Sequence, residues 1–154
     1  MQNHRVVITG LGCISALGKN VNETWQKVVD CQSGILPIER VDMSSFRFKN
    51  GGEIKNYDPL NYFNAKELGL LDPFTQFAMI AAEEAVNNAN ITWTEELKEE
   101  TCVIMGTSIG GEQTTEEAFY DLFHENKNRV NLFTIPKIMP NAAASQITMK
   151  YGIT

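Results

Sequence analysis

Two stretches of this chain run from consecutive apolar, mostly β-branched residues straight into a glycine-rich turn. The first is residues 5–12 (RVVITGLG), and the second is residues 102–111 (CVIMGTSIGG). Because the apolar residues are continuous and do not alternate with polar ones, each run predicts a fully buried strand. Glycine after each run indicates that the backbone passes close to another group. Ligands of open α/β sheets bind at the carboxyl ends of strands, so these turns are the first places to look for function.

Helical patterns separate and follow the two predicted strands, which favours an α/β architecture. The clearest is Pro73–Asn88, with Asp72 as its N-cap, proline at its first position and Asn87-Asn88 as its stop. Apolar residues surround nearly the whole segment, so a buried helix is predicted. Further helices are predicted in the acidic stretch 92–100, in residues 112–126 with Phe119, Leu122 and Phe123 inward, and in residues 142–150 after Asn141.

The segment after the first turn predicts a shorter helix, which begins after Asn22 as its cap and is closed by Gly34. Trp25, Val28 and Val29 are spaced to form its apolar face. Residues 37–60 show only a weak pattern, with a short strand or hairpin edge at residues 52–54. An irregular excursion of this length is typically functional or packs over the core.

Length and composition describe one ordinary globular domain. The chain has 154 residues, of which 43% are hydrophobic and 21% charged, enough apolar material for a core. A net charge of −6 excludes the basic surface of a nucleic-acid-binding domain. No apolar run approaches the ~18 residues of a membrane helix. A signal peptide at residues 6–17 is disfavoured by internal glycines and by the single Arg5.

The residues that most often carry catalysis are few and scattered. Cys13, Cys31 and Cys102 form no CxxC pair, which favours a reducing cytosol over a disulfide scaffold and offers no metal-ligand spacing. His4 precedes the first predicted strand, and His124 ends a predicted helix, where a cation complements the helix dipole. Both histidines are interpreted as structural or solvated.

The first glycine turn matches only the beginning of a dinucleotide-binding fingerprint. Gly10 and Gly12 are in place, but Ser15 stands where the third glycine belongs, and the chain contains no Gly-Lys-Ser/Thr phosphate loop. We therefore predict no cofactor and no metal. The turn is interpreted as architectural, closing the first strand against its helix.

Several short motifs follow one another along the whole chain. They are RVVITGLG at 5–12, residues 15–18, Thr24-Trp25, Ser33-Gly34-Ile35, Asp72 with Gln76-Phe77-Ala78, GTSIGG at 106–111, Pro136, Pro140-Asn141-Ala142-Ala143 and Tyr151-Gly152. In order and spacing they resemble the N-terminal part of β-ketoacyl-acyl-carrier-protein synthases of the chain-elongating I/II type. The resemblance spans essentially all 154 residues.

The resemblance implies a thiolase-like α/β fold of stacked αβαβα layers, of which residues 1–154 would be an incomplete first half. It also implies a decarboxylative Claisen condensation. A cysteine thiolate takes an acyl chain from acyl carrier protein, and two histidines assist the decarboxylation of malonyl carrier protein. In the family the cysteine follows the Tyr-Gly segment, so it and both histidines are expected beyond Thr154. Residues 1–154 are therefore expected to be truncated before the nucleophile and inactive alone.

The resemblance also assigns residues to an acyl pocket. Ile109 matches a position that lines the acyl-chain pocket, where its size would help to set chain length. Phe133 and Thr134 fall where the family places residues that reach the partner subunit's pocket. The residues alone equally allow Ile109 to be a core residue at a tight turn, and they favour Phe133 as an aromatic loop anchor.

The parent protein is expected to be a cytoplasmic homodimer that works with acyl carrier protein in fatty-acid or polyketide synthesis, with no nucleic-acid or membrane partner. A second hypothesis is a chain-length-factor-like subunit, which resembles the synthases, lacks the nucleophile and acts in a heterodimer. The residue that separates these two lies beyond Thr154. A third hypothesis is a self-standing α/β binding domain.

Overall fold

Short helices and one hairpin form the regular structure of residues 5–154, the part of the chain that this computed structural model describes. The helices are α1 (Val21–Val29), α2 (Ala65–Leu68), α3 (Pro73–Asn88), α4 (Glu95–Glu100), α5 (Glu112–Phe119), α6 (Thr134–Ile138) and α7 (Ala142–Tyr151). A 3₁₀ turn spans Pro59–Asn61, and a π-helical turn spans Tyr120–His124. The chain divides into two compact units: residues up to Tyr57 together with Ile80–Ile91, and Asp58–Met79 together with Thr92–Thr154.

In the first unit, the glycine turn at residues 10–12 packs directly on the second half of α3. A Cβ atom on Gly10 would overlap the carbonyl oxygen of Ala85, and one on Gly12 would overlap that of Ala81. The Leu11 N–H donates to Asn88 Oδ1 at 3.0 Å. Glycine is needed here because two backbones come into contact, so the turn has a packing role against α3. The first strand that it was predicted to close against its helix is not formed.

Helix α1 begins two residues earlier than the sequence indicates. Asn20, not Asn22, is the N-cap, and its side chain accepts a hydrogen bond from the Glu23 N–H. The chain turns away after the helix at Cys31, which has a positive φ of 53°, so Gly34 does not close it. Its predicted apolar face exists but is not buried in this unit, since Trp25 and the two valines 28 and 29 are exposed.

The irregular excursion contains a minimal antiparallel hairpin. Strand β1 (Leu36–Pro37) pairs with β2 (Asn50–Gly51), with Leu36 opposite Gly51. The Glu53 carboxylate continues the pairing by accepting hydrogen bonds from the backbone N–H groups of Glu39 and Arg40. The predicted strand at residues 52–54 is thus displaced by two residues.

The two buried strands predicted from the apolar runs are not formed, which corrects the sequence interpretation. Within residues 5–154 the β1–β2 pair is the whole of the sheet. Val6 is 94% exposed, Ile104 is 87% exposed, and Cys102 is exposed as well. A strand is defined by hydrogen bonds to a neighbour, and β-branched sequence without a neighbouring strand leaves an uncovered apolar run.

Helix α3 has the predicted bounds and the predicted cap. The Asp72 carboxylate accepts from the Phe74 N–H at 3.1 Å, and Pro73 occupies the first helical position. Most of the helix is only half-buried, with Thr75, Gln76 and Ile80 as its buried positions, so burial is less complete than predicted. The left-handed residue that follows the helix is Asn90 rather than Asn87 or Asn88.

The core of the second unit is small. Its buried apolar residues are Phe63, Leu71, Ala142, Ala143 and Ile147. Ala142 and Ala143 begin α7, whose small side chains permit close packing. The helix ends at Gly152 with φ of 66°, as predicted, although Asn141 makes no side-chain cap bond.

Helix α5 is shorter than predicted and faces differently. It ends at Phe119, and the chain continues through the π-helical turn instead of reaching residue 126. Phe119 and Phe123 are exposed and stack on each other with ring centroids 5.9 Å apart, so the prediction that they face inward is wrong. Helix α6 lies in a segment for which no helix was predicted. Pro136 fits its first turn, where no backbone N–H is required.

Candidate functional site

The second glycine turn, residues 106–111, leads directly into α5 and presents Ile109 at its surface. The Thr107 hydroxyl oxygen accepts from the Gly110 N–H at 3.2 Å and closes the turn. Gly110 has φ of 92°, a conformation that L side chains rarely adopt. Ile109 is 60% exposed within residues 5–154.

The turn is fixed by backbone contacts with the end of α6. The Gly111 N–H donates to the carbonyl oxygen of Ile138 at 3.2 Å. A Cβ on Gly110 would lie 2.5 Å from that same oxygen, and a Cβ on Gly111 would lie 2.6 Å from the carbonyl oxygen of Lys137. Both glycines are therefore required for the approach, and the backbone that carries Ile109 is held against α6.

Phe133 and Thr134 lie at the opposite end of α6. Asn131 holds them, because its side-chain oxygen accepts from the Phe133 N–H at 2.8 Å and its carbonyl accepts from the Thr134 N–H. Thr134 is buried and Phe133 is 49% exposed. A five-residue helix is about 7 Å long. Phe133 and Thr134 therefore lie at one end of α6, and the turn that carries Ile109 lies at the other.

Asp72 ties the start of α5 to the start of α3. One carboxylate oxygen accepts from the Phe74 N–H, while the other accepts from both the backbone N–H and the hydroxyl of Thr114, at 2.9 and 2.7 Å. Asp72 is 2% exposed. Helix α5 has no side-chain cap from its own N-cap residue, Gly111, so Asp72 supplies the acceptor that its first turn lacks.

The sequence identified Asp72 only as the cap of α3. Its second partner, Thr114, is 42 residues away along the chain, and no local pattern connects the two positions. A single aspartate that caps two helices is a tertiary feature, which spacing alone does not reveal.

A groove of about 780 Å³ runs along α5 and the π-helical turn. Its lining combines carboxylates with aromatic rings: Glu112, Thr115, Glu116, Phe119, Tyr120, Phe123 and His124. His124 stacks on Tyr120, with ring centroids 4.4 Å apart, and lies 3.4 Å from a Glu125 carboxylate oxygen. Just beyond, the Asp121 carboxylate accepts a hydrogen bond from Lys127 at 2.7 Å, which raises the pKa of that lysine.

The cysteines occupy positions with no helix N-terminus to activate a thiol. Cys31 follows α1 and Cys102 follows α4, and both are exposed. Cys13 is half-buried and receives a long hydrogen bond, 3.7 Å, from the Thr24 hydroxyl. His4 lies outside the described residues. Within residues 5–154, no group of three or more histidine, cysteine or acidic side chains could hold a metal ion. Across the same residues, no helix has both the length and the apolar character needed to cross a membrane.

Comparison with known families and proteins matches nearly the entire chain. The family model described as "Beta-ketoacyl synthase, N-terminal domain" matches residues 3–154. The 3-oxoacyl-[acyl-carrier-protein] synthase 2 of Staphylococcus aureus (strain COL) is 36% identical over 151 residues, which are 98% of this chain and 36% of that protein. The protein of the same name from Synechocystis sp. is 33% identical over 152 residues, or 99% of this chain and 36% of its own length. The chain thus spans about a third of these relatives.

Solved structures agree on the fold. A ketosynthase/chain length factor, that of ishigamide, superimposes with a TM-score of 0.79 at 23% identity, over 94% of this chain and 36% of that one. A complex of a type II polyketide acyl-carrier protein with its ketosynthase, bound to the hexaketide, gives 0.75 at 22% identity, over 96% of this chain and 39% of that one. A β-ketoacyl synthase from Burkholderia phymatum gives 0.76 at 18% identity, over 96% and 36%. The predicted thiolase-like fold is confirmed, with the chain spanning part of it.

Proposed function

Because the chain belongs to the β-ketoacyl synthase family, we propose that it forms the N-terminal part of a condensing enzyme that elongates acyl chains on acyl carrier protein. The observation that carries the proposal is the match over residues 3–154, together with 36% identity to a 3-oxoacyl-[acyl-carrier-protein] synthase 2 over 98% of the chain. These relatives extend well beyond the matched part, so the activity is proposed for the whole protein.

In the proposed reaction, a cysteine thiolate attacks the acyl thioester and the carrier thiol leaves, giving an acyl-enzyme. Malonyl carrier protein then loses CO₂, and the resulting enolate attacks the acyl-enzyme carbonyl. The enzyme thiolate is expelled, and the product is a 3-oxoacyl carrier protein longer by two carbons. Two histidines and backbone N–H groups would stabilise the negative charge that develops on oxygen.

We propose that the nucleophilic cysteine and both histidines lie beyond Thr154, as the family resemblance implies. Two observations support this: none of Cys13, Cys31 and Cys102 begins a helix, and His124 is exposed beside Glu125. The 154-residue chain alone should therefore catalyse no condensation.

The part played by the described residues is to shape the acyl pocket. Ile109 is presented at the tip of a turn whose backbone is fixed to α6, so the volume of its side chain can limit the length of the acyl chain. Phe133, half-exposed at the other end of α6, would reach the pocket of a second subunit. Thr134 is buried and would support the backbone that carries Phe133.

The test is an assay of the complete protein with acyl carrier protein and malonyl carrier protein, following CO₂ release and the mass of the 3-oxoacyl product. We expect condensation by the complete protein and none by residues 1–154. If a folded complete protein showed neither decarboxylation nor condensation, the proposal that it is a condensing enzyme would be refuted.

Replacing Ile109 by a larger residue tests the pocket. We expect Ile109→Phe to lower kcat/KM for long acyl chains by about tenfold or more relative to short ones, since one methylene in a hydrophobic pocket is worth about tenfold to 200-fold. Leu97→Phe, at a partly exposed position of α4, is the control and should leave this ratio unchanged. If the ratio of kcat/KM for long to short acyl chains were unchanged in Ile109→Phe, Ile109 would not line the acyl pocket.

The chain-length-factor alternative shares the fold and differs in chemistry. A cysteine in the strand-to-helix turn beyond Thr154 supports the enzyme, and any other residue there supports the non-catalytic partner.

We further propose a second synthase subunit and acyl carrier protein as partners. Solved structures with this fold include a ketosynthase in complex with its carrier protein and a ketosynthase/chain length factor, which supports both. A cytoplasmic location is proposed from the sparse, odd set of cysteines.

A further inference from the structure

Asp72 is a buried carboxylate that lies next to the turn carrying Ile109. Its carboxylate spans two helices, because one oxygen accepts from the Phe74 N–H of α3 and the other accepts twice from Thr114 of α5. Both Asp72 and Thr114 are buried, at 2% and 6% exposure. Charge-assisted hydrogen bonds in such a site are short and strong, which the 2.7 Å hydroxyl contact shows.

The contact lies next to the turn. Thr114 is three residues after Gly111, and a Cβ on Gly111 would lie 3.2 Å from the Asp72 carboxyl carbon. Gly111 in turn donates to Ile138 at the end of α6. The carboxylate therefore fixes the start of α5 on one side of the turn, while α6 fixes it on the other.

We propose that Asp72 is a positioning residue for acyl-chain length, acting through Thr114 and the Gly110-Gly111 backbone on the side chain of Ile109. The inference rests on the proposed condensing activity and deepens it. Asp72 itself touches no substrate. Its loss would leave the buried N–H of Thr114 without its acceptor, and the first turn of α5 would move to find another.

The sharpest test changes Thr114, because a buried aspartate variant can fail to fold. Thr114→Val removes one hydrogen bond to the carboxylate and keeps the shape of the side chain, whereas Thr114→Ser keeps the hydroxyl. The complete protein is assayed with acyl carrier protein that bears either a short or a long acyl chain. The ratio of kcat/KM for the long chain to kcat/KM for the short chain is then compared between variants. Asp72→Asn is measured in the same way, since its single amide oxygen cannot serve both helices.

We expect Thr114→Val and Asp72→Asn to change the long-to-short ratio by about fivefold or more, and Thr114→Ser to restore it to within about twofold of the wild type. Thr148→Val is the structural control, because its hydroxyl bonds only within α7, to Ser145. It should lower stability and leave the ratio unchanged. A Thr114→Val enzyme that loses activity equally at all chain lengths would overturn the positioning role while leaving the condensing activity intact. A folded wild-type protein with no condensation would overturn the proposed function, and this inference with it.

Discussion

At the scale of single residues, close backbone packing in this chain depends on glycines as much as on the side chains beside them. Gly12 and Gly111 let one backbone approach another, and two nearby carboxylates, the half-buried Glu84 and the buried Asp72, accept hydrogen bonds from backbone N–H groups. Glu84 does this for Cys13 and Val21, whose N–H groups lie 2.8 and 2.9 Å from its two oxygens. Asp72 does the same in the other unit. Contacts of this kind make substitution costly at positions that carry no chemistry.

Gly12 is the clearest case. A Cβ there would overlap the Ala81 carbonyl of α3, which is backbone and cannot rotate away. We expect Gly12→Ala to lower the free energy of unfolding of the complete protein by about 2 kcal/mol, the scale of an overpacked core. Denaturant unfolding measures the change.

Gly106→Ala is the matched control, because no atom lies within 4 Å of its added Cβ. Its effect should stay within about 0.5 kcal/mol, as for an ordinary surface substitution. Equal losses in the two variants would show that the turn at residues 10–12 is not closely packed on α3.

At the scale of elements, helix ends decide where the chain turns, and at one of them hydrogen bonds lower the pKa of a carboxyl group. At the start of α1, Asn20 accepts from the Glu23 N–H, and Glu23 accepts from the Lys19 N–H at 2.9 Å. That backbone hydrogen bond is the main cause of a Glu23 pKa below its ordinary 4.5, and Lys27 and Lys19 lower it further by their charge. The arrangement differs from a capping box in one bond, because the Glu23 carboxylate accepts from the N–H of Lys19, one residue before the N-cap, and not from that of Asn20.

A lowered folded-state pKa means that the ionised carboxylate stabilises the helix start. This contribution is fully present above pH 4.5 and is lost as the pH falls through the lower folded-state value. We expect the protection of the Lys19 amide and of the first-turn amides of α1, that is, exchange corrected for the intrinsic rate, to fall on acidification below pH 4.5. In Glu23→Gln the exchange profile across this range should be flat apart from the intrinsic rate, and an unchanged acid response in that variant would assign it to another group.

Elements with strong local signals could be predicted, and those that depend on tertiary context could not. The start of α3 follows from Asp72 and Pro73, which act within one turn. Two asparagines compete to cap α1, and Asn20 is the cap because Glu23 lies three residues after it. The apolar spacing of Phe119 and Phe123 is real, but the direction in which a stripe faces depends on what packs against it.

The same distinction applies to the candidate site. The turn that carries Ile109 is visible in the sequence as a run of glycines after apolar residues. Its anchors are not, because the Asp72–Thr114 and Gly111–Ile138 bonds join distant segments. The exposure of Ile109 could also not be read from the sequence, which allowed a core residue equally well.

At the scale of the whole molecule, the sequence-based prediction and the structure differ most at the two apolar runs. Residues 5–9 and 102–105 have the composition of buried strands, yet Val6, Ile8 and Ile104 are 94%, 82% and 87% exposed. Contiguous apolar surface of this kind is unstable in water and promotes association. Since the relatives are almost three times as long as the matched part, we infer that strands in the rest of the protein pair with these two runs and cover them.

This inference predicts that one pair of substitutions has opposite effects in two settings. Val6→Thr with Ile8→Thr keeps β-branched residues and exchanges apolar surface for hydroxyls. In the 154-residue chain alone, where both side chains are exposed, we expect less self-association by light scattering than for the unsubstituted chain. In the complete protein the same pair would place unpaired hydroxyls in a buried strand and lower the free energy of unfolding by about 2–4 kcal/mol. Val41→Thr, also exposed but outside the runs, should change neither measurement appreciably. A complete protein that tolerates the pair without loss, or a 154-residue chain that is already a monodisperse and cooperatively folded monomer, would show that no further strand covers these residues.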